Sequence, residues 1–189
     1  RFLHRTAAAT VASGFASRAA AQVRVAVDPL PLPVAQGKAD LCRLAATAVM
    51  FGHRAQRPVD MAEAATRLGG VYVLSHLQGR ALSFAAVPAW PMAGGFTGER
   101  MQCFDAGSWA RLIRIRGPLI ARIDGTGEGK VNPVVVVAGV SGDGSPGGTR
   151  LTFADGQTGS NRVLTLAEFA TVFDRSAASD ELLRIACFT

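Results

Sequence analysis

The chain has 189 residues and 49% of them are hydrophobic, which is enough for one domain of ordinary size with its own core. Its net charge of +6 comes almost wholly from arginines, but these are scattered along the chain instead of clustering with aromatic residues, which argues against nucleic-acid binding. No apolar run is long enough to cross a membrane, and the dispersed cysteines and histidines form no metal-ligand motif, so neither a membrane partner nor a metal or other cofactor is predicted.

Residues 1–25 are expected to be a signal peptide or an N-terminal extension, with the folded domain at residues 26–189. The segment has a basic start and a mildly apolar stretch, and Ala19-Ala20-Ala21 would suit a signal-peptide cleavage site. Because the stretch also holds glycine, serine and Arg18, a helix outside the core is an equal alternative. We expect a secreted or periplasmic protein, with a cytoplasmic one as the alternative.

Three helices are predicted in the first two thirds of the chain from apolar spacing, N-cap residues and glycine stops. Asp40 is the expected N-cap of the first, and Asp60 with Glu63 forms a capping box for the second. A short strand and a loop rich in proline and glycine are predicted between the second and third helices. The expected bounds are Leu41–Phe51 (closed by Gly52), Asp60 to Gly69 and Ala106–Arg116 for the helices, Val71–Leu74 for the strand and Pro88–Gly98 for the loop.

The last third of the chain has the pattern of an antiparallel sheet. Runs rich in β-branched residues alternate with turns, and Thr165 with Glu168 predicts a capping box for one more helix, ending at Phe173. The predicted strands are Leu119–Ile123, Val134–Val137, Arg150–Ala154 and Glu181–Phe188, with a turn at Gly142–Gly148. Helices followed by an antiparallel sheet indicate an α+β fold, in which N-terminal helices pack on a C-terminal sheet.

Cys42 is the residue with the clearest chemical potential. It falls in the first turn of the first predicted helix, where the helix dipole lowers the pKa of a thiol and favours the nucleophilic thiolate. Gln36, six residues earlier, has an amide N–H that can stabilise an oxyanion formed beside that sulfur. A nucleophile and an oxyanion donor are half of a cysteine hydrolase.

Several stretches, taken in order, resemble the bacterial papain-like cysteine peptidases. The resemblance implies a papain-like fold in which Cys42 attacks a carbonyl, Gln36 stabilises the oxyanion and Asp155 orients a general-base histidine. The stretches that carry it are Pro33-Val34-Ala35-Gln36 leading to Cys42, Arg116-Gly117-Pro118-Leu119-Ile120, Val134 to Gly139 with Gly142-Asp143-Gly144, Leu151 to Asp155, and Leu164 to Phe169.

The histidine that the resemblance calls for is missing. Counting back from Gly139 along the valine-rich strand puts Pro133 in the histidine position, with Asn132 beside it, and neither side chain can act as a base. Arg43 stands where the family usually has tryptophan directly after the cysteine. The site is therefore predicted to be degenerate.

The histidines elsewhere in the chain offer few substitutes for this base. His53 lies eleven residues after Cys42 on the same predicted helix, about 16 Å away and out of hydrogen-bond reach. His76 remains open as a base, and His4 lies in the N-terminal segment. For both, a surface or locally bonded histidine is the alternative.

The other residues of the predicted site also have simpler interpretations. Cys42 would serve equally as a small buried residue, and Asp155 as part of a turn with Gly156. Arg43 would be a solvated helix residue, or a cation that stabilises a thiolate or an acidic ligand. In an exported protein Cys103 and Cys187 could pair, whereas in the cytosol all three cysteines would be thiols.

Three functions are consistent with this pattern. The first is a peptidase homologue that has lost its general base and binds a peptide or protein ligand in the old cleft. The second is an active cysteine hydrolase with a non-standard base, and the third is a structural or assembly domain in which Cys42 belongs to the core. The oligomeric state is not predicted.

Overall fold

The computed structural model describes residues 22–37, 41–82, 86–99, 105–124, 133–175 and 185–188. Six helices and seven strands lie in these ranges, and none of these helices has the length and apolar character needed to span a bilayer. In chain order they are β1 (Val23–Ala26), α1 (Cys42–Ala55), α2 (Met61–Leu68), α3 (Gly70–Gln78), α4 (Trp90–Ala93), β2 (Phe96–Gly98), α5 (Ala106–Arg116), β3 (Leu119–Arg122), β4 (Val134–Gly142), β5 (Arg150–Asp155), β6 (Ser160–Thr165), α6 (Leu166–Arg175) and β7 (Ile185–Phe188).

The seven strands form one antiparallel sheet in the order β2-β7-β3-β4-β5-β6, with β1 also paired to β4. The valine-rich strand β4 is its centre, since it pairs with β1, β3 and β5 and is buried from Val134 to Val140. The β4–β5 register shifts at a bulge between Val137 and Gly139, and the skipped residue Ala138 accepts a hydrogen bond from the Val27 amide at 2.9 Å. A long central strand buried on both faces explains why its sequence is continuously apolar.

The two faces of the sheet carry different helices. On one face, Cys42 and the apolar residues of α1 share a core cluster with Val134, Val136 and Ala154. On the other face, α5 and α6 pack through three fully buried aromatic residues against Val135, Val137 and Phe153. Those aromatic residues are Trp109, Phe169 and Phe173. The prediction of an α+β fold with the Cys42 helix on an antiparallel sheet is confirmed.

Polar caps explain where several helices begin. The Asp60 carboxylate accepts a hydrogen bond from the Glu63 amide at 2.7 Å, and α2 ends before Gly69, as predicted. Thr165 and Glu168 form the predicted capping box for α6, in which the Glu168 carboxylate accepts from the Thr165 amide at 2.8 Å. These hydrogen bonds from Thr165 lower the pKa of Glu168.

Asp105 caps α5, and removing its carboxylate should measurably lower the free energy of unfolding. Its carboxylate accepts a hydrogen bond from the Ser108 amide at 2.7 Å, at the first turn of a helix that carries the buried Trp109. We expect Asp105→Ala to lower the free energy of unfolding by about 1 kcal/mol, and Asp105→Asn to preserve it, because asparagine also caps well. Urea titration of the three proteins tests this, and an Asp105→Asn protein as unstable as Asp105→Ala would refute the capping role.

Two predicted elements are wrong, and three are clearly shorter than observed: α1, β4, which continues past Val137 to Gly142, and α6, which continues past Phe173 to Arg175. Val71–Leu74 is not a strand but part of α3, because Tyr72 and Ser75 are buried three residues apart on a helix that packs beside α2. The predicted loop Pro88–Gly98 contains α4 and β2. Helix α1 does not stop at Gly52 but continues to Ala55, where Gln56 takes the left-handed cap conformation at φ 52°.

Gly52 lies inside α1 and is a packing position, not a helix stop. A Cβ atom at Gly52 would lie 3.0 Å from the Arg57 carbonyl oxygen, so the glycine allows the chain after α1 to return close to the helix. Strands β1 and β6 have no counterpart among the predicted elements. The predicted N-cap Asp40 and the first part of the predicted strand Glu181–Phe188 lie outside the described residues.

Candidate active site

Cys42 is the first residue of α1, as predicted, and its side chain is buried with only 5% of its surface exposed. The space beside it, among the described residues, is too narrow for a water molecule. The residues that surround this space are Leu41, Arg43, Leu44, Ser75 and Leu82. The thiol therefore has the helix position of a nucleophile but lies closed off in this conformation.

Gln36 lies against the turn that follows β5. Its backbone amide donates a hydrogen bond to the Gly156 carbonyl at 2.8 Å. Its side-chain Oε1 is buried and has no hydrogen-bond partner among the described residues. The Gln36 residue is thus half-buried, with its Oε1 turned away from solvent near the end of β5.

Gly156 is where the predicted site elements meet. A Cβ atom there would lie 2.9 Å from the Ala45 Cβ, 3.5 Å from the Val34 carbonyl oxygen and 3.7 Å from the Gln36 Oε1. Ala45 lies three residues, or about one helical turn, after Cys42 on α1. The fold therefore brings the start of α1, the Gln36 segment and the end of β5 together, and only glycine fits between them.

Asp155 ends β5 and is 5% exposed. Its Oδ1 accepts a hydrogen bond from the Gln157 amide at 2.8 Å, and its Oδ2 accepts one from Arg162 Nη1 at 3.0 Å. Its carbonyl also accepts from the Gly159 amide at 2.9 Å. Asp155 thus performs the turn role that its sequence context with Gly156 allowed, and the carboxylate is balanced by Arg162.

Register places Asp155 and Pro133 on the sheet face away from the Cys42 cluster. Asp155 pairs with Val135, which contacts the α5 and α6 side, and directly opposed residues share a face. The Pro133 carbonyl accepts a hydrogen bond from the Ile123 amide at 2.9 Å, which extends the β3–β4 ladder, and Ile123 also belongs to the α5 and α6 side. Asn132 lies outside the described residues.

Two of the histidines lie in different places, His76 on α3 and His53 on α1. His76 on α3 follows Ser75, which borders the space beside Cys42, and its Nδ1 is buried without a hydrogen-bond partner among the described residues. His53 lies in the last turn of α1, in a separate pocket of about 180 Å³ with Pro29. Burial lowers the pKa of His53, and a hydrogen bond to the Pro29 backbone opposes that shift. His4 lies outside the described residues.

Three residues close to the site were not identified from the sequence. Ser75 and Leu82 border Cys42 from elements that were not predicted to be near it. Arg122, only 4% exposed, ends β3 opposite Val134 and so occupies the Cys42 face of the sheet. A charged residue at the end of an apolar strand was the one visible hint of this last position.

The described residues contain no group of three or more His, Cys, Asp or Glu side chains that could hold a metal ion. Arg43 is half-buried directly after Cys42. Cys103, the suggested partner of Cys187, lies outside the described residues.

Cys187 is a second buried thiol, on the α5 and α6 side, and we expect it to be slow to alkylate. Burial and the nearby Glu99 carboxylate raise its pKa to about 11. At pH 8 only about one molecule in a thousand would carry the reactive thiolate. Iodoacetamide labelling across pH 6–11, read by mass spectrometry, should show the rate at Cys187 still rising at the alkaline end.

The variant Glu99→Gln provides the control for the electrostatic part of this shift. The Glu99 Oε1 lies 3.8 Å from the Cys187 Sγ and pairs with Arg116 at 2.8 Å. Removing the carboxylate's charge should lower the Cys187 pKa and speed labelling at pH 9. Labelling of native Cys187 at pH 8 as fast as that of the urea-unfolded chain would contradict the prediction.

One comparison with known proteins matches this arrangement. The family model described as papain-like cysteine protease AvrRpt2 matches residues 26–174, from the end of β1 into α6, and so includes Gln36, Cys42 and Asp155. No curated protein and no solved structure matches the chain. Because the matched region is most of the chain and contains the helix-borne cysteine on an antiparallel sheet, the chain belongs to the papain-like cysteine protease family described by AvrRpt2.

Proposed function

We propose that this protein is a papain-like peptidase homologue with impaired hydrolysis, and that it acts by binding a peptide or protein ligand. The observation that carries the proposal is that neither Asn132 nor Pro133, the two positions before β4 to which the resemblance assigns the general base, is a histidine. A thiol without a base loses the group that takes its proton and returns it to the leaving amine, which typically costs 10²–10⁴-fold in rate.

The surroundings of Cys42 support this proposal. The carboxylate of Asp155, which would orient a base, is hydrogen-bonded to Arg162 and to the Gln157 amide, and it shares the sheet face of Val135 rather than that of Cys42. The space around the thiol is closed. The packing at Gly156 nevertheless keeps Gln36 and the start of α1 together, as a binding cleft derived from a peptidase requires.

Hydrolysis and binding are separated by comparing the wild-type protein with Cys42→Ala. Both are incubated with denatured casein and a mixed synthetic peptide library, and the products are read by mass spectrometry. We expect the wild type to cleave no more than Cys42→Ala does. Peptides retained by the immobilised wild type should also be retained by immobilised Cys42→Ala, and they should be recovered uncut. Cleavage that disappears in Cys42→Ala would overturn the proposal in favour of an active enzyme.

An active hydrolase with a non-standard base is the second candidate, and His76 is the residue that favours it. It follows Ser75 in the sequence, and Ser75 lines the space beside Cys42; the buried Nδ1 of His76 has no hydrogen-bond partner among the described residues. If this candidate holds, any Cys42-dependent cleavage should be abolished in His76→Gln and retained in His53→Gln. Equal activity in both variants would exclude His76 as the base.

A further inference from the structure

Helix α3 exposes three large apolar side chains on one side. They follow at intervals of three residues, which places them along one surface of the helix, and each is about half exposed or more. They are Val71 at 48%, Leu74 at 56% and Leu77 at 74% exposed, and we call them the α3 stripe. Single exposed apolar residues are common, but three in register on a nine-residue helix form a surface suited to a partner.

The opposite side of the same helix borders the nucleophile. Tyr72 and Ser75 are buried, and Ser75 lines the space beside Cys42 together with Leu82. The Ser75 hydroxyl donates to the Arg80 carbonyl, at 2.5 Å, and fixes the end of α3 to the segment that leads to Leu82. A chain seated on the α3 stripe therefore contacts the same helix that borders Cys42.

The surroundings of the stripe are free of carboxylates in the sequence. No Asp or Glu occurs between Glu63 and Glu99, a stretch that includes all of α3 and α4. Arg80 follows the stripe and is exposed, whereas Arg67, which precedes it, is paired with Glu63 at 2.5 Å. The charged side chains carried by this stretch of the chain are thus all basic, and exposed Arg80 complements an acidic partner.

We propose that the α3 stripe binds an amphipathic helical segment of a partner protein, with an apolar face against Leu74 and Leu77 and acidic residues toward Arg80. A second copy of this chain fits poorly, because two carboxylate-free surfaces bearing Arg80 would face each other. A membrane surface also fits poorly, since a nine-residue helix with three exposed apolar residues buries little area in a bilayer. The inference rests on the proposed function, because it names the partner class of a ligand-binding peptidase homologue.

The test uses four fluorescein-labelled designed peptides and the full chain carrying Cys42→Ala. One peptide is an amphipathic helix with a leucine face and a glutamate rim, the second has lysine in place of glutamate, and the other two are their scrambled versions. We expect saturable binding, by fluorescence anisotropy, of the amphipathic glutamate peptide alone, weakened by salt. Because the cysteine is absent, the result does not depend on whether the wild-type protein hydrolyses peptides.

Variants assign the binding to the stripe. Leu74→Gln with Leu77→Gln removes the apolar contacts while keeping good helix formers, and we expect it to weaken binding about tenfold or more. Met92→Gln, which changes an 82% exposed residue of α4 outside the stripe, is the matched control and should leave affinity unchanged. Arg80→Gln should reduce both the affinity and its salt dependence.

Several results would overturn the inference. Three come from the peptide titrations: equal binding of the lysine peptide, no binding of any peptide, or unchanged affinity in the double Gln variant. Two come from other measurements: binding to vesicles of anionic lipid that the double Gln variant abolishes, or a dimer in light scattering that the same variant dissociates. The vesicle result would assign the stripe to a membrane, and the dimer result to self-association. Peptide cleavage by the wild-type protein would instead count against the proposed function and leave the stripe's binding intact.

Discussion

The Phe169→Ala variant should be less stable than the wild-type protein by about 3–5 kcal/mol, the cost of emptying a large aromatic site in a core. Phe169 is fully buried on α6, and its ring packs with Trp109 at 5.5 Å, Phe153 at 5.8 Å and Phe173 at 6.0 Å between ring centroids. The substitution leaves a void in which three rings lose a packing partner. Helix α6 would therefore lose much of its packing against the sheet.

Urea unfolding followed by tryptophan fluorescence measures this effect, since Trp109 contacts Phe169 directly edge to face. Phe169→Leu should fall between the wild type and the alanine variant because it leaves a smaller void. Val163→Ala, at a half-exposed position of β6, is the control and should change stability by less than about 0.5 kcal/mol. A loss in Phe169→Ala no larger than in Val163→Ala would mean that the aromatic cluster is not a cooperative part of the core.

Local chemistry made much of this fold predictable. The N-cap at Asp60 and the capping box at Thr165 act through contacts within a few residues, and the continuous valine run of β4 reflects burial on both faces. Each of these features was visible in the sequence. α3 was not predictable in the same way. Its β-branched Val71 and Val73 favour a strand locally, and packing of Tyr72 and Ser75 in the core decides for a helix.

The candidate site was predictable in its parts but not in its geometry. The position of Cys42 at the start of α1 follows from the sequence, since the apolar pattern begins there. The face on which Pro133 lies depends on pairing with β3 and on the bulge between Val137 and Gly139. Counting back from Gly139 crosses that bulge, which changes the alternation of faces, so spacing alone cannot assign Pro133 to the side of Cys42.

The same register yields the prediction with the largest effect on activity. We expect Asn132→His to raise amide hydrolysis by roughly 10²-fold or more over the wild type, and Pro133→His to raise it far less. Val134 faces the Cys42 cluster opposite Arg122, whereas Pro133 is paired with Ile123 on the other side. By sequence, Asn132 is two residues before Val134, the spacing at which side chains of a strand share a face.

A fluorogenic peptide mixture, assayed from pH 5 to 9, measures this gain, and each histidine variant is repeated with Cys42→Ala to show that the thiol is required. A genuine thiol–imidazole pair should also give a bell-shaped pH dependence of the rate. This activity should disappear in the Cys42→Ala background, whereas a contaminating activity would persist there. A larger gain in Pro133→His than in Asn132→His would mean that the reacting geometry does not follow the strand register. A gain that survives Cys42→Ala would mean that the histidine acts without the nucleophile, and the papain-like interpretation of Cys42 would fail with it.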